Sequence, residues 1–184
     1  MNHSYTAIAK FFHWGMALAF AGLLALGFVM TDMPLSPDKL QYYAWHKWAG
    51  VSVFVLVWLR LVWRVLNPPP VYPNTMPLLL QRFAHMGHAA LYGLMIVIPV
   101  SGWLLSSAKG VPTVWFGVLP LPDLLEKDKE LGHLLQEVHE ALNLLLLFLL
   151  AGHVAAALKH HCIDKDDILK RMLPTRSVTL KDNT

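Results

Sequence analysis

The chain has 184 residues, of which 55% are hydrophobic and only 15% charged, and its mean hydropathy is +0.45. That balance excludes an ordinary soluble domain and points to a membrane protein. A net charge of +3, with no basic run interleaved with aromatics, argues against a nucleic-acid partner. Cys162 is the single cysteine, so no internal disulfide can form.

The opening, MNHSYTAIAKFFHWG, lacks the short apolar stretch and small-residue cleavage site of a signal peptide, so the first hydrophobic segment is expected to stay in the mature protein. That segment covers about 7–30, is uncharged from Phe11 to Met30, and carries His13 near its start. TDMPLSPDKLQYY follows, with two prolines and turn-forming Ser and Asp, and reads as a loop. The second segment covers about 43–66, with His46 early and Arg60 and Arg64 on one face near its far end. NPPPVYP then ends the helix, because proline lacks the backbone donor and clashes with the preceding turn.

The third segment covers about 79–108, with His85 and His88 near its start and a kink expected at Pro99 and Gly102. The stretch KGVPTVWFGVLPLPDLLEKDKELGH reads as interfacial in its aromatic first half and as a short charged surface helix in its second. The fourth segment covers about 134–161, uncharged between Ala141 and Leu158 except for the ionisable His153. A polar tail, 162–184, completes a single domain without internal repeats. Each segment suffices to cross a hydrocarbon core, which takes roughly 20 apolar residues. The expected fold is therefore an all-α bundle of four transmembrane helices.

Lysine and arginine placement orients it. The connector after segment two, with its helix ends, holds Arg60, Arg64 and Arg82 and no acid. The loop after segment three is acidic in balance, with Asp123, Glu126, Asp128 and Glu130 against Lys109, Lys127 and Lys129. Both termini are therefore expected in the cytoplasm, with four crossings between them.

Four histidines then acquire depths. His139 and His153 are fourteen residues apart, nearly four helical turns and about 21 Å, so one helix offers an imidazole in each leaflet. An ionisable side chain in a membrane is costly, and its default reading is functional. Depth pairs His46 with His139 on the outer side and His13 with His153 on the inner side. Each pair suits an iron porphyrin held from both faces, because neutral imidazole is a common axial ligand. Such an iron has no free position and moves electrons instead of binding oxygen. His85 and His88 compete with His153 for the inner iron; His153 is preferred because one rigid helix then serves both. Arg60 is placed to pair with an inner propionate, and Lys47 with an outer one. A quinone headgroup needs polar donors at the membrane boundary, where His88 and His160 lie; His85 and His161 are weaker candidates there. The tryptophans read as an interfacial belt.

The motifs FHW, WHKWAG, RLVWRVLNPPP, AHMGH, SGWLLSSAKG, VHEALN, GHVAAALKHH and KDDILKRMLP together span nearly the whole chain. In these the chain resembles the bacterial cytochrome b561 family of four-helix, dihaem membrane proteins. The resemblance implies two b-type haems, ligated by His13 with His153 and His46 with His139, and electron exchange with ubiquinone. It implies a cytoplasmic-side quinone site lined by His88 and His160. Some members are similar to superoxide oxidases, which pass an electron from periplasmic superoxide to ubiquinone. Related haem-bearing subunits anchor hydrogenases or formate dehydrogenases, which keeps a membrane-anchor role as the alternative. A histidine-lined ion or proton carrier without haem is a third reading.

Overall fold

The computed structural model describes residues 4–73 and 76–174. Four long helices run in alternating directions: α1 (Ala7–Asp32), α2 (Pro37–Leu66), α3 (Leu78–Ala108) and α4 (Lys129–Lys159). All four are long and apolar enough to cross a membrane. After α4 come a π-helical turn, His160–Asp164, and the short helix α5 (Ile168–Met172). This bundle brings the first residues, the α2–α3 connector and α5 to one end, called here the terminal end. The α1–α2 and α3–α4 connections form the opposite, loop end.

Capping chemistry sets the helix starts, and at two of them the structure departs from the sequence reading. Helix α2 begins at Pro37 instead of near residue 43, so only Met33–Ser36 separates it from α1. Pro37 sits at a first-turn position where its missing N–H is no loss, and the Ser36 hydroxyl accepts the Lys39 N–H at 3.2 Å. The Lys39 ammonium turns back to the Met33 carbonyl at 2.6 Å, closing the end of α1. Helix α4 begins at Lys129 instead of near 134, because Asp128 accepts the N–H groups of Glu130 and Leu131. The separate charged surface helix expected there is the first turn of α4. Helix α3 runs through Pro99 without interruption. Residues 175–184 of the expected tail lie outside the described residues.

The aromatic stretch after α3 contains an element that the sequence reading did not anticipate. Strands β1 (Val114–Trp115) and β2 (Leu119–Pro120) pair antiparallel, with Trp115 opposite Leu119. The turn between them takes Phe116 (φ 50°) and Gly117 (φ 71°) into the left-handed region. Glycine reaches it freely; phenylalanine does so at a cost, which the flanking aromatic contacts offset.

Helix α1 packs on α2, α2 on α3, and α3 on α4. One apolar cluster joins all four, with Met16 and Phe20 of α1, Val53 and Val57 of α2, Leu91, Leu94, Met95 and Ile98 of α3, and Leu146 of α4. Leu146 is 1% exposed and lies seven residues, about 10 Å of rise, from both His139 and His153. The cluster is thus an apolar slab between two histidine levels. Most outward side chains are apolar and exposed, among them Phe11, Leu18, Val62, Leu144 and Phe148, as a lipid solvent requires. Truncating the centre of the slab leaves a cavity, so Leu146→Ala should cost about 2–5 kcal/mol. A lowered unfolding midpoint of the detergent-purified protein checks this.

Candidate haem and electron-transfer site

Two facing pairs of imidazoles stand above and below the slab. At the loop-end level the rings of His46 (α2) and His139 (α4) have centroids 6.4 Å apart, inclined at 80°. At the terminal-end level His13 (α1) and His153 (α4) are 6.1 Å apart at 51°. An imidazole nitrogen holds a metal ion at about 2 Å, so rings on opposite sides of one ion have centroids about 6 Å apart. Both separations meet that requirement. The Nδ1 atom of His46 is buried and has no hydrogen-bond partner among the described residues. Burying an unpaired nitrogen is costly unless a ligand repays it. The donor set and its spacing therefore fit haem.

Each ring is held differently. His139 Nδ1 lies 2.8 Å from Ser101 Oγ, and a side chain at Gly102 would crowd the same ring, with its Cβ 3.1 Å from Cε1. The bare backbone of Gly102 lets α3 approach His139 this closely. His13 Nδ1 lies 3.1 Å from the Arg60 guanidinium. Arg60 and Arg64 both lie over the Tyr92 ring, at 5.4 and 5.6 Å. Arg60 thus reaches the inner histidine level, as its depth in the sequence suggested, and its contact there is His13 itself.

His88 is drawn to the same level: its ring is 5.5 Å from that of His153, and its Nδ1 donates to the Ala84 carbonyl at 2.7 Å. His85 instead stacks edge-on with Tyr72 at the bundle end. His160 lies beyond α4 with Nδ1 2.7 Å from an Asp166 oxygen and 3.2 Å from Asp164, which also pairs with Lys159. His161 is exposed. Also at this end, burial pushes the Tyr5 phenol above its ordinary range, opposed by the charge of Arg64.

The hairpin clamps the loop end. Trp48, two residues after His46, donates through Nε1 to the Val114 carbonyl at 2.6 Å. Trp115 donates in return to Ser52 Oγ at 3.2 Å, and Phe116 packs against both indoles at 5.4 Å. Lys47 reaches the Val111 carbonyl at 3.0 Å, so its ammonium fastens the α3–α4 loop to α2. Ser101, Gly102 and this tryptophan clasp escaped the sequence reading. Their partners lie 37 to 67 residues away along the chain, and no local pattern marks them.

Comparison with known proteins agrees with this architecture. The family model described as "Prokaryotic cytochrome b561" matches residues 4–175. The chain belongs to the prokaryotic cytochrome b561 family. It is therefore a multi-pass protein of the bacterial inner membrane, from a family that binds b-type haem and moves electrons across the bilayer. It is 36% identical over 178 residues to "Cytochrome b561 homolog 2" of Escherichia coli (strain K12), covering 92% of this chain and 90% of that protein. It is 28% identical over 185 residues to "Probable superoxide oxidase CybB" of Yersinia pestis, covering 96% and 99%. A third relative, "Cytochrome b561 homolog 1" of E. coli (strain K12), is 31% identical over 138 residues, 71% of this chain and 74% of that protein.

Trp115→Phe keeps the aromatic packing but removes the indole donor to α2, at a net cost of about 1 kcal/mol. Faster amide exchange over residues 114–121, with α1 unaffected, is the expected result.

Proposed function

We propose that this protein relays single electrons between a periplasmic donor and membrane ubiquinone through two b-type haems. His46 and His139 would hold one, His13 and His153 the other. The observation that carries this reading is the pair of ring separations, 6.4 and 6.1 Å, at two levels served by one helix. Bound haem supplies reversible one-electron iron chemistry; the helices fix where it happens. A pair of facing imidazoles would leave a bound iron no open site for oxygen, which suits electron transfer.

The residues around the pairs take the remaining tasks. Arg60, beside His13, would pair with a haem propionate at the inner level. Lys47 would do the same at the outer level while tying down the loop. The arginines and lysines of the terminal end, Arg64, Arg82, Lys159, Lys170 and Arg171, place that end in the cytoplasm. Quinone reduction consumes two electrons and two protons. It belongs at this end, where His160, bonded to Asp166, stands at the boundary between helix and solvent and His88 lies deeper beside His153.

Superoxide is the donor that this arrangement favours. Two superoxide ions each give up one electron and leave as dioxygen, and one quinone takes both. At the loop end Lys39, Lys47 and Lys109 bond to neutral oxygens, those of Met33, Val111 and Gln136. The carboxylates that pair with Lys159, Lys170 and His160 lie at the terminal end. The three loop-end ammonium groups would be what meets an anion beside a loop that is acidic in balance, an effect that weakens with salt. The 28% identity to a probable superoxide oxidase points the same way.

The purified protein should carry two haems per chain and show overlapping low-spin b-type bands in a reduced-minus-oxidised spectrum. His153→Ala should lose the inner haem and retain most of the outer one. With superoxide generated in the presence of a ubiquinone analogue, haem reduction should precede quinol formation. Quinone left unreduced under those conditions removes superoxide as donor, and co-purification of a soluble dehydrogenase would then favour the anchor role.

A further inference from the structure

Helix α3 supplies no histidine to either facing pair, yet it carries a side chain buried against one of them. Ser101 is 5% exposed, and its hydroxyl oxygen makes two contacts of 2.8 Å, one to the Ile98 carbonyl and one to His139 Nδ1. A carbonyl only accepts, and a serine has a single proton. Both contacts are hydrogen bonds only if Ser101 donates to Ile98 and His139 Nδ1–H donates to Ser101. That arrangement fixes the His139 tautomer: Nδ1 is protonated, and Nε2 keeps the lone pair that can bind a metal. Gly102 completes the seat, since a Cβ there would stand 3.1 Å from the ring.

We propose that Ser101 is the positioning residue of the outer haem, orienting His139 and setting its basicity through the chain from His139 Nδ1–H to the Ser101 hydroxyl to the Ile98 carbonyl. The inference rests on the bis-histidine reading above. A ligating histidine whose second N–H is accepted by a neighbour donates more strongly to the metal, and such neighbours are commonly worth ten- to a hundred-fold in affinity. Stronger donation favours the ferric state, so this bond holds the outer haem at a lower potential than a free imidazole would. His46, the facing ring, has no hydrogen-bond partner at Nδ1 among the described residues.

The test compares Ser101→Ala with Ser101→Thr in the detergent-purified holoprotein, by haem count, redox titration and electron paramagnetic resonance of the ferric state. Ser101→Ala should keep two haems, weaken retention of the outer one about ten-fold, and raise the potential of that haem alone. Each tenfold loss of ferric preference reads as about 59 mV for a one-electron couple. Ser101→Thr, which retains the hydroxyl, should restore the wild-type potential and ferric signal. Two haems with unchanged potentials and signals in Ser101→Ala overturn the role of Ser101 and leave the bis-histidine reading standing. An equal shift in both variants overturns it too, because packing and not the hydroxyl would then be responsible. A wild-type preparation with no haem, or one, overturns the bis-histidine reading itself.

Discussion

An imidazole within the apolar part of a bilayer has to be repaid, and the way this bundle repays it shapes everything else. Helix α4 carries two such rings fourteen residues apart, on much the same side. Neither ring pairs with the other, since about 21 Å of helix separates them. Each is met by a histidine from a different helix, His13 from α1 at one level and His46 from α2 at the other. The bundle thus builds two polar levels in an otherwise apolar medium, each with two imidazoles facing one another. Metal binding is the chemistry that satisfies such a set without leaving buried nitrogens unpaired.

The slab between the levels follows from the same constraint. With no hydrophobic drive between helices in lipid, packing holds the bundle together. Met16, Val57 and Leu146 fill the middle to nearly complete burial, while the outward faces of the same helices stay greasy and exposed. Leu146 sits halfway between the two α4 histidines, so apolar side chains fill the space between the levels. Helix α3 contributes more of the slab than any other helix, and the side chains that brace the rings of α4: Ser101 beside His139, His88 beside His153. A helix without a facing-pair histidine of its own thus settles how those of its neighbour are presented.

The two ends of the molecule differ in their electrostatics. At the terminal end Arg60 and Arg64 gather over Tyr92, and His160 joins Asp164 and Asp166, so charges there meet partners. At the loop end, Lys39 and Lys47 are spent on backbone carbonyls, which fixes their position without cancelling their charge. The aromatic clasp of Trp48, Trp115 and Phe116 holds the loop against α2 close to His46.

Much of this was legible in the residues alone. Four apolar runs of bilayer length, the fourteen-residue interval on the last of them and the arginine-rich connector all depend on local period and composition, which the chain states directly. The family followed from motifs spread from FHW to KDDILKRMLP. Helix starts were less legible, because a cap bond decides them: Ser36 moved the start of α2 back to Pro37, and Asp128 moved that of α4 back to Lys129. Only the tertiary structure could decide what touches each ring. Ser101 against His139, Arg60 against His13, and the hairpin against Trp48 join residues 38 to 66 positions apart, and nothing in the intervening sequence encodes a tautomer or a clasp. Sequence determined where imidazoles lie along the membrane normal, because helical rise is fixed per residue. Packing determined what each imidazole meets, because helices distant in sequence supply the neighbours, as Ser101 does for His139 and Arg60 for His13.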